Sequence, residues 1–137
     1  MAKTNSKQFE YFSHTADVKF RAYGKTIEEQ FENAAYASFN LMFDSKKVKP
    51  LIKKEIMLNS NKPESMLYDW IDELLFYLDT EGWFLSKVET LKIKGSKLTA
   101  TVYGDNYKNY DTTGYVKGIT YSEMEITPKY VQVVLDI

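Results

Sequence analysis

Two aspartates at the ends of predicted strands are the residues whose types and positions point most clearly to chemistry. Asp136 follows the apolar run 133–135 and is adjacent to the α-carboxylate of Ile137, and Asp17 begins the alternating segment 17–23. Neighbouring carboxylates disfavour one another's ionised form, and a cation between them removes that penalty. If the two strand ends meet, the sequence predicts a cation site assembled from both ends of the chain.

The donor set restricts the choice of metal. Carboxylate oxygens without histidine or thiolate favour a hard divalent cation over zinc. Calcium fits better than magnesium because its coordination shell tolerates irregular geometry, although Mg²⁺ is also compatible with such ligands. The alternative is that Asp17 and Asp136 are only solvated or paired with surface lysines and arginines, and such exposed ion pairs contribute less than about 1 kcal/mol each.

A catalytic alternative involves the single histidine, His14, which lies shortly before Asp17. The two residues could form a general-base pair, but no nucleophile is evident nearby. A role for His14 in orienting the loop before the strand is therefore favoured. One rival function is nonetheless a stand-alone metal-dependent phosphoesterase that uses His14, Asp17 and Asp136.

The overall charge argues against a second rival, an RNA-binding or chaperone module. The chain has 18 basic and 19 acidic residues, for a formal net charge of −1. It therefore lacks the positive surplus on which sequence-independent RNA binding depends, so we expect any RNA to be reached through a partner. The segments that such a module would use are the tyrosine-rich loop 103–115 and the lysines Lys46, Lys47, Lys49, Lys53 and Lys54.

Length and composition predict one domain over residues 1–137, with residues 1–8 flexible. Of the 137 residues, 44% are hydrophobic and 15% aromatic, which is enough for one packed core. The chain has no cysteine, so disulfides and thiolate metal sites are excluded. No apolar stretch has the length of a signal peptide or of a membrane span. The sequence predicts a soluble cytoplasmic protein without a membrane partner.

Hydrophobic periodicity and turn residues predict an α+β fold. Helices are expected from the Thr26 capping box to about 43–44 and from Pro63 to the glycine cap Gly82. Strands are expected over 9–12, 17–23, 54–58, 91–102 as a hairpin turning at Gly95, 115–126 and 130–135, with a polar loop over 104–114. The expected architecture is a two-layer sandwich in which both helices pack on one face of a mixed, mostly antiparallel sheet.

Specific strings in the sequence resemble the archease family. They are HTADV at 14–18 followed by RAYG at 21–24, ELLFYLDTEG at 73–82, VKGITY at 116–121 and VLDI at 134–137. They occur in the family's order and extend over nearly the whole chain.

The resemblance implies an accessory protein and not an enzyme. Archeases activate the GTP-dependent RNA ligase that joins tRNA halves in tRNA splicing; they promote guanylylation of the ligase and its repeated turnover. The resemblance also implies Ca²⁺ binding by Asp17, Asp136 and Ile137, which are the residues of the cation site predicted above. His14 and Lys117 lie in family-like strings and are expected to contact the ligase.

Two positions depart from the family pattern. Ser122 stands where many members have histidine, and Gly118 stands where alanine is usual. A role of that histidine does not carry over to this chain, while the aspartates are unaffected.

Overall fold

The computed structural model describes residues 7–12 and 17–137. Within these residues the chain forms seven strands, two α-helices and two short 3₁₀ turns, at Ser45–Lys47 and Tyr107–Asn109. In chain order the elements are β1 (Phe9–Phe12), β2 (Asp17–Tyr23), α1 (Ile27–Asn40), β3 (Ile52–Asn59), α2 (Pro63–Glu81), β4 (Trp83–Lys94), β5 (Lys97–Asn106), β6 (Gly118–Ile126) and β7 (Tyr130–Asp136). The predicted α+β class is confirmed.

The strands form two sheets where the sequence pattern predicts one. The larger sheet has the order β1-β2-β7-β6 and the smaller has the order β3-β5-β4. Every strand pair in the described part of the chain is antiparallel. The difference has a topological cause: β3 pairs with the free edge of the β4–β5 hairpin, whereas β7 returns to the N-terminal strands. Periodicity within a strand carries no information about its partner.

The helix ends largely follow the predicted capping signals. The Glu29 N–H donates to Thr26 Oγ1 at 3.1 Å, while the Glu29 carboxylate accepts from the Lys25 N–H at 2.6 Å. Helix α2 begins at Pro63 and ends at Gly82, whose φ of +69° is the left-handed conformation expected of a glycine cap. Helix α1 ends at Asn40, earlier than predicted. After Asn40 the chain makes only one short turn, in which the Phe43 N–H donates to the Phe39 carbonyl.

The predicted loop over 104–114 is partly regular structure. Strand β5 continues through Asn106 and is followed by the 3₁₀ turn, while β6 begins only at Gly118 and not at residue 115. A side chain at Gly104 would clash with the Phe84 carbonyl, because a Cβ there would lie 2.1 Å from that oxygen. The glycine thus lets β4 and β5 approach closely enough to extend the hairpin.

The core fixes which side chains of the larger sheet face solvent. Phe20 and Val133, which are register partners in β2 and β7, are fully buried against the helices. The helices are joined within the core by Trp70, whose indole N–H donates to the Phe31 carbonyl at 2.8 Å. Because side chains alternate along a strand, Asp17 and Asp136 stand on the opposite, outer face. Neither helix of the described chain is long and apolar enough to cross a membrane.

Candidate metal centre

The backbone register brings together three of the residues predicted from the sequence. Asp17 and Asp136 are direct cross-strand partners in β2 and β7. On its other side Asp136 pairs with Gly118, and its carbonyl accepts the Lys117 N–H at 2.8 Å. Asp17, Asp136 and Lys117 therefore lie at one end of the larger sheet, although Asp17 precedes the other two by 100 positions or more.

The two aspartates face each other directly across paired strands. Directly opposed residues in an antiparallel pair have Cβ atoms about 4.5–5.5 Å apart, and like charges in that position are destabilising. Asp136 is exposed and Asp17 is half-buried, while Ile137 is 45% exposed. Two side-chain carboxylates beside a chain-end carboxylate fit a hard divalent cation such as calcium.

Side chains alone supply only part of a coordination shell. Among residues 7–12 and 17–137, no group of three or more histidine, cysteine, aspartate and glutamate side chains is placed to hold a metal. The remaining ligands would have to come from the α-carboxylate of Ile137, backbone oxygens or water. His14, which the sequence places near this site, lies outside the described residues.

A polar network continues from the carboxylates along the outer face. Lys19, the next outward residue after Asp17, forms an ion pair with Glu123 at 3.3 Å. Further along, the Arg21 Nε donates to Gln132 Oε1 at 3.0 Å, and the Gln132 amide donates to the Glu123 carbonyl at 2.8 Å. The charge of Lys19 is thus engaged by Glu123, a residue that the sequence analysis did not single out.

Glu123 takes its position from an irregularity in β6. The pairing of β6 with β7 is interrupted between Thr120 and Glu125, and Glu123 has a φ of +51°. No other non-glycine residue in the described chain has a positive φ. A bulge of this kind turns side chains out of the regular alternation, and no glycine, proline, asparagine or aspartate marks it in the sequence.

The two departures from the family pattern are benign in structural terms. A Cβ added at Gly118 would meet no atom within 4 Å, so alanine would fit there equally well. Ser122 is exposed, and its backbone N–H donates to Thr120 Oγ1 at 3.2 Å.

A second acidic region, around Asp105, differs in its contacts. The Asp105 carboxylate is buried and accepts hydrogen bonds from the Tyr110 hydroxyl at 2.8 Å, the Asn106 N–H at 2.8 Å and the Asn109 amide at 3.4 Å. The Tyr110 hydroxyl, followed by the Asn106 N–H, lowers the pKa of Asp105 below its usual 3.8. These donors belong to the loop itself, so Asp105 acts as a structural anchor for the segment 105–110.

Comparison with known proteins shows the family of the chain. The profile of the Archease protein family (MTH1598/TM1083) matches residues 9–137. The chain belongs to the archease family. It is 40% identical to the protein archease of Methanosarcina barkeri, over 98% of this chain and 99% of the relative. It is 42% identical to that of Methanothermobacter thermautotrophicus, over 88% of this chain and 89% of the relative.

Two solved structures have the same fold. The solution structure of Methanobacterium thermoautotrophicum protein 1598 superposes with a TM-score of 0.77 at 34% identity, covering 95% of this chain and 99% of that one. The crystal structure of an archease from Thermotoga maritima, described as a "possible chaperone", gives a TM-score of 0.60 at 21% identity, covering 92% and 94%. The second likeness shows the archease fold alone.

Proposed function

We propose that this archease activates a GTP-dependent RNA ligase that joins tRNA halves, as an accessory protein and not as an enzyme. The observation that carries the proposal is the cross-strand pairing of Asp17 with Asp136 in a chain of the archease family. Activation would consist of promoting guanylylation of the ligase and supporting its repeated turnover. The protein would act in the cytoplasm and would reach RNA through the ligase.

In this proposal a divalent cation is held by Asp17, Asp136 and the α-carboxylate of Ile137. Calcium is the expected ion and magnesium the alternative, because all the ligands are oxygens. The bound cation would supply positive charge that screens the opposed carboxylates and fixes the end of β7 against β2. Asp17 and Asp136 would thereby hold the sheet end in one conformation.

The contribution to ligation would be positional and electrostatic. An ordered, oxygen-rich sheet end presented at the nucleotide site of the ligase would orient charged groups before guanylyl transfer, which is where preorganised charge is most effective. Lys117 is exposed beside Asp136 and would contact the ligase or its nucleotide directly. His14 is the second candidate for such a contact.

The experiment that tests the proposal is multiple-turnover ligation of tRNA halves by the purified cognate ligase. Stimulation by substoichiometric wild-type protein is expected, and it should be lost with Asp17→Ala. Asp111→Ala is a matched control, because Asp111 is an exposed aspartate in the segment between β5 and β6. The control should activate like the wild type.

The same assay separates the proposal from its rivals. The protein alone is expected neither to ligate RNA nor to hydrolyse phosphoesters. If the folded wild-type protein gives no stimulation at any ratio with calcium present, the activator function is refuted. Phosphoester hydrolysis without the ligase, lost in Asp17→Ala, would establish the phosphoesterase instead.

A further inference from the structure

Exposed aromatic side chains cluster on one side of the molecule, where α2 lies beside β6. Phe76 is 55% exposed, and Tyr115 and Tyr121 are each 54% exposed. We call these residues, together with the aspartates Asp69, Asp72 and Asp79 of α2, the aromatic–acidic surface. Exposed aromatic side chains are enriched in the buried centres of protein interfaces.

Contacts with α2 hold the two tyrosines in place. The Tyr121 ring stacks on the Tyr68 ring with centroids 4.4 Å apart and planes 9° apart. The Tyr115 hydroxyl donates to the Asp79 carboxylate at 3.1 Å. Phe76 lies on the same helix face between these two contacts, because positions 68, 72, 76 and 79 recur at helical spacing. The three exposed rings thus lie along one side of α2.

The charge of this surface indicates the chemistry of its partner. Helix α2 has six acidic residues and no basic one. Such a surface repels RNA and attracts cationic groups. Arginine is the side chain that fits best, since its planar guanidinium both stacks on aromatic rings and pairs with carboxylates through two hydrogen bonds.

A cleft beside Tyr115, at the end of this surface, provides room for a side chain to insert. It has a volume of about 640 Å³ and is lined by Leu78, Asp79, Glu81, Phe84, Tyr107 and Tyr115, among others. Interface residues that contribute most to affinity usually fill such pockets, and arginine is one of the commonest of them.

The chain leads from this surface directly to the candidate metal centre. Tyr115 is followed closely by Lys117, whose N–H donates to the Asp136 carbonyl. Asp17 and Asp136 lie on the outer face of the same sheet, so a partner that covered the aromatic rings would reach them around β6, which is the edge strand. A large protein surface could engage both regions at once.

We infer that the aromatic–acidic surface docks an arginine-rich surface of the ligase, while the carboxylates act at its nucleotide site. The inference rests on the proposed function for the identity of the partner. It assigns separate roles to two regions of the archease. Phe76, Tyr115 and Tyr121 would provide affinity for the ligase. Asp17 and Asp136 would provide activation. The two roles can be separated by measuring binding and activation on the same samples.

The test compares the double variant Phe76→Ser, Tyr121→Ser with the control Met57→Ser. Met57 is 64% exposed on the smaller sheet, so it matches the loss of an exposed apolar side chain on a different face. Equilibrium binding to the purified ligase and activation at saturating archease are measured for each protein. The double variant is expected to raise the dissociation constant by about tenfold or more. Its activation at saturation should be unchanged, and Met57→Ser should match the wild type.

A charge variant provides a second, independent test that leaves the aromatic rings in place. Asp72→Lys replaces an exposed carboxylate on the same helix face. It should also weaken binding, and its effect should shrink as salt is raised, because charge pairs at an interface rim are screened.

The outcomes distinguish the inference from the proposed function. Equal dissociation constants for the double variant and the control, with a wild type that binds and activates, would overturn the docking surface alone. A wild type that binds through this surface without activating would overturn the activator function alone. A wild type that does not bind the ligase would overturn both.

Discussion

The candidate metal centre and the Asp105 region use carboxylates in opposite ways. Asp105 is surrounded by neutral donors from its own loop, and these donors lower its pKa. Asp17 and Asp136 come from the two ends of the chain and are placed opposite each other across paired strands. A carboxylate surrounded by donors anchors structure, whereas two opposed carboxylates repel each other, and this repulsion is the basis of the proposed cation site.

The first prediction concerns the loss of one carboxylate from the candidate metal centre. Asp17→Ala or Asp136→Ala should lower activation of the ligase at limiting calcium by more than about 100-fold, since residues that merely orient metal ligands already contribute 10- to 100-fold. The measurement is multiple-turnover ligation as a function of calcium concentration. Thermal unfolding should show that both variants remain folded. Wild-type activation by either variant would remove that residue from the site.

The second prediction concerns the Asp105 region, whose packing should be disturbed by a substitution at the neighbouring residue Gly104. Gly104→Ala would place a Cβ 2.1 Å from the Phe84 carbonyl and 2.6 Å from the Trp83 ring, so β4 and β5 would have to separate. The free energy of unfolding should fall by about 2–3 kcal/mol, as measured by urea denaturation. Calcium affinity of the folded fraction should stay the same. A marked loss of affinity would show that the two regions are coupled.

The third prediction concerns the acid sensitivity of the Asp105 anchor. Because the folded protein lowers the pKa of Asp105 below 3.8, the ionised side chain stabilises the fold above that pH, and the stabilisation is lost as the pH falls through the folded pKa. Asp105→Asn should therefore lower the melting temperature at neutral pH, with the difference from wild type narrowing as the pH drops below 3.8. A difference that is constant with pH would contradict the assignment.

The smallest expected effect concerns stability, and it distinguishes the opposed aspartates from the Asp105 region. In the presence of a chelator, Asp136→Asn should stabilise the protein by about 0.5 kcal/mol, because it removes one of two opposed charges. Adding calcium should raise the melting temperature of the wild type and not of the variant. Asp105→Asn, which removes an acceptor surrounded by donors, should be destabilising under both conditions. A destabilising Asp136→Asn in chelator would mean that the opposed charges are already compensated.

Sequence patterns predicted the elements of the fold better than their partners. The capping signals at Thr26, Pro63 and Gly82 located the helix starts and one helix end, because caps are local. The division into two sheets was not predictable in this way. It depends on which strand pairs with which, and alternation along β3 or β7 is the same in either arrangement.

For the candidate site too, the sequence indicated the residues but not the contacts between them. The carboxylates could be found because strand ends and acidic residues are visible in the sequence, and their direct register is a property of the folded chain. Glu123 and its ion pair with Lys19 were not predicted, since no glycine, proline, asparagine or aspartate marks the irregularity in β6. The anchoring of Asp105 was missed as well, because the donors around it were assigned to a polar loop.

The proposal that Asp17 and Asp136 form a cation site is tested most directly by calorimetric titration of the metal-free protein with calcium. Wild type and Asp111→Asn are compared with Asp17→Asn and Asp136→Asn, so that all three variants remove one carboxylate. We expect saturable calcium binding by the wild type and by Asp111→Asn, and affinity lowered by more than about 100-fold in the other two. Equal binding by all four proteins, or no binding by the wild type, would contradict the assignment of the opposed aspartates as a cation site.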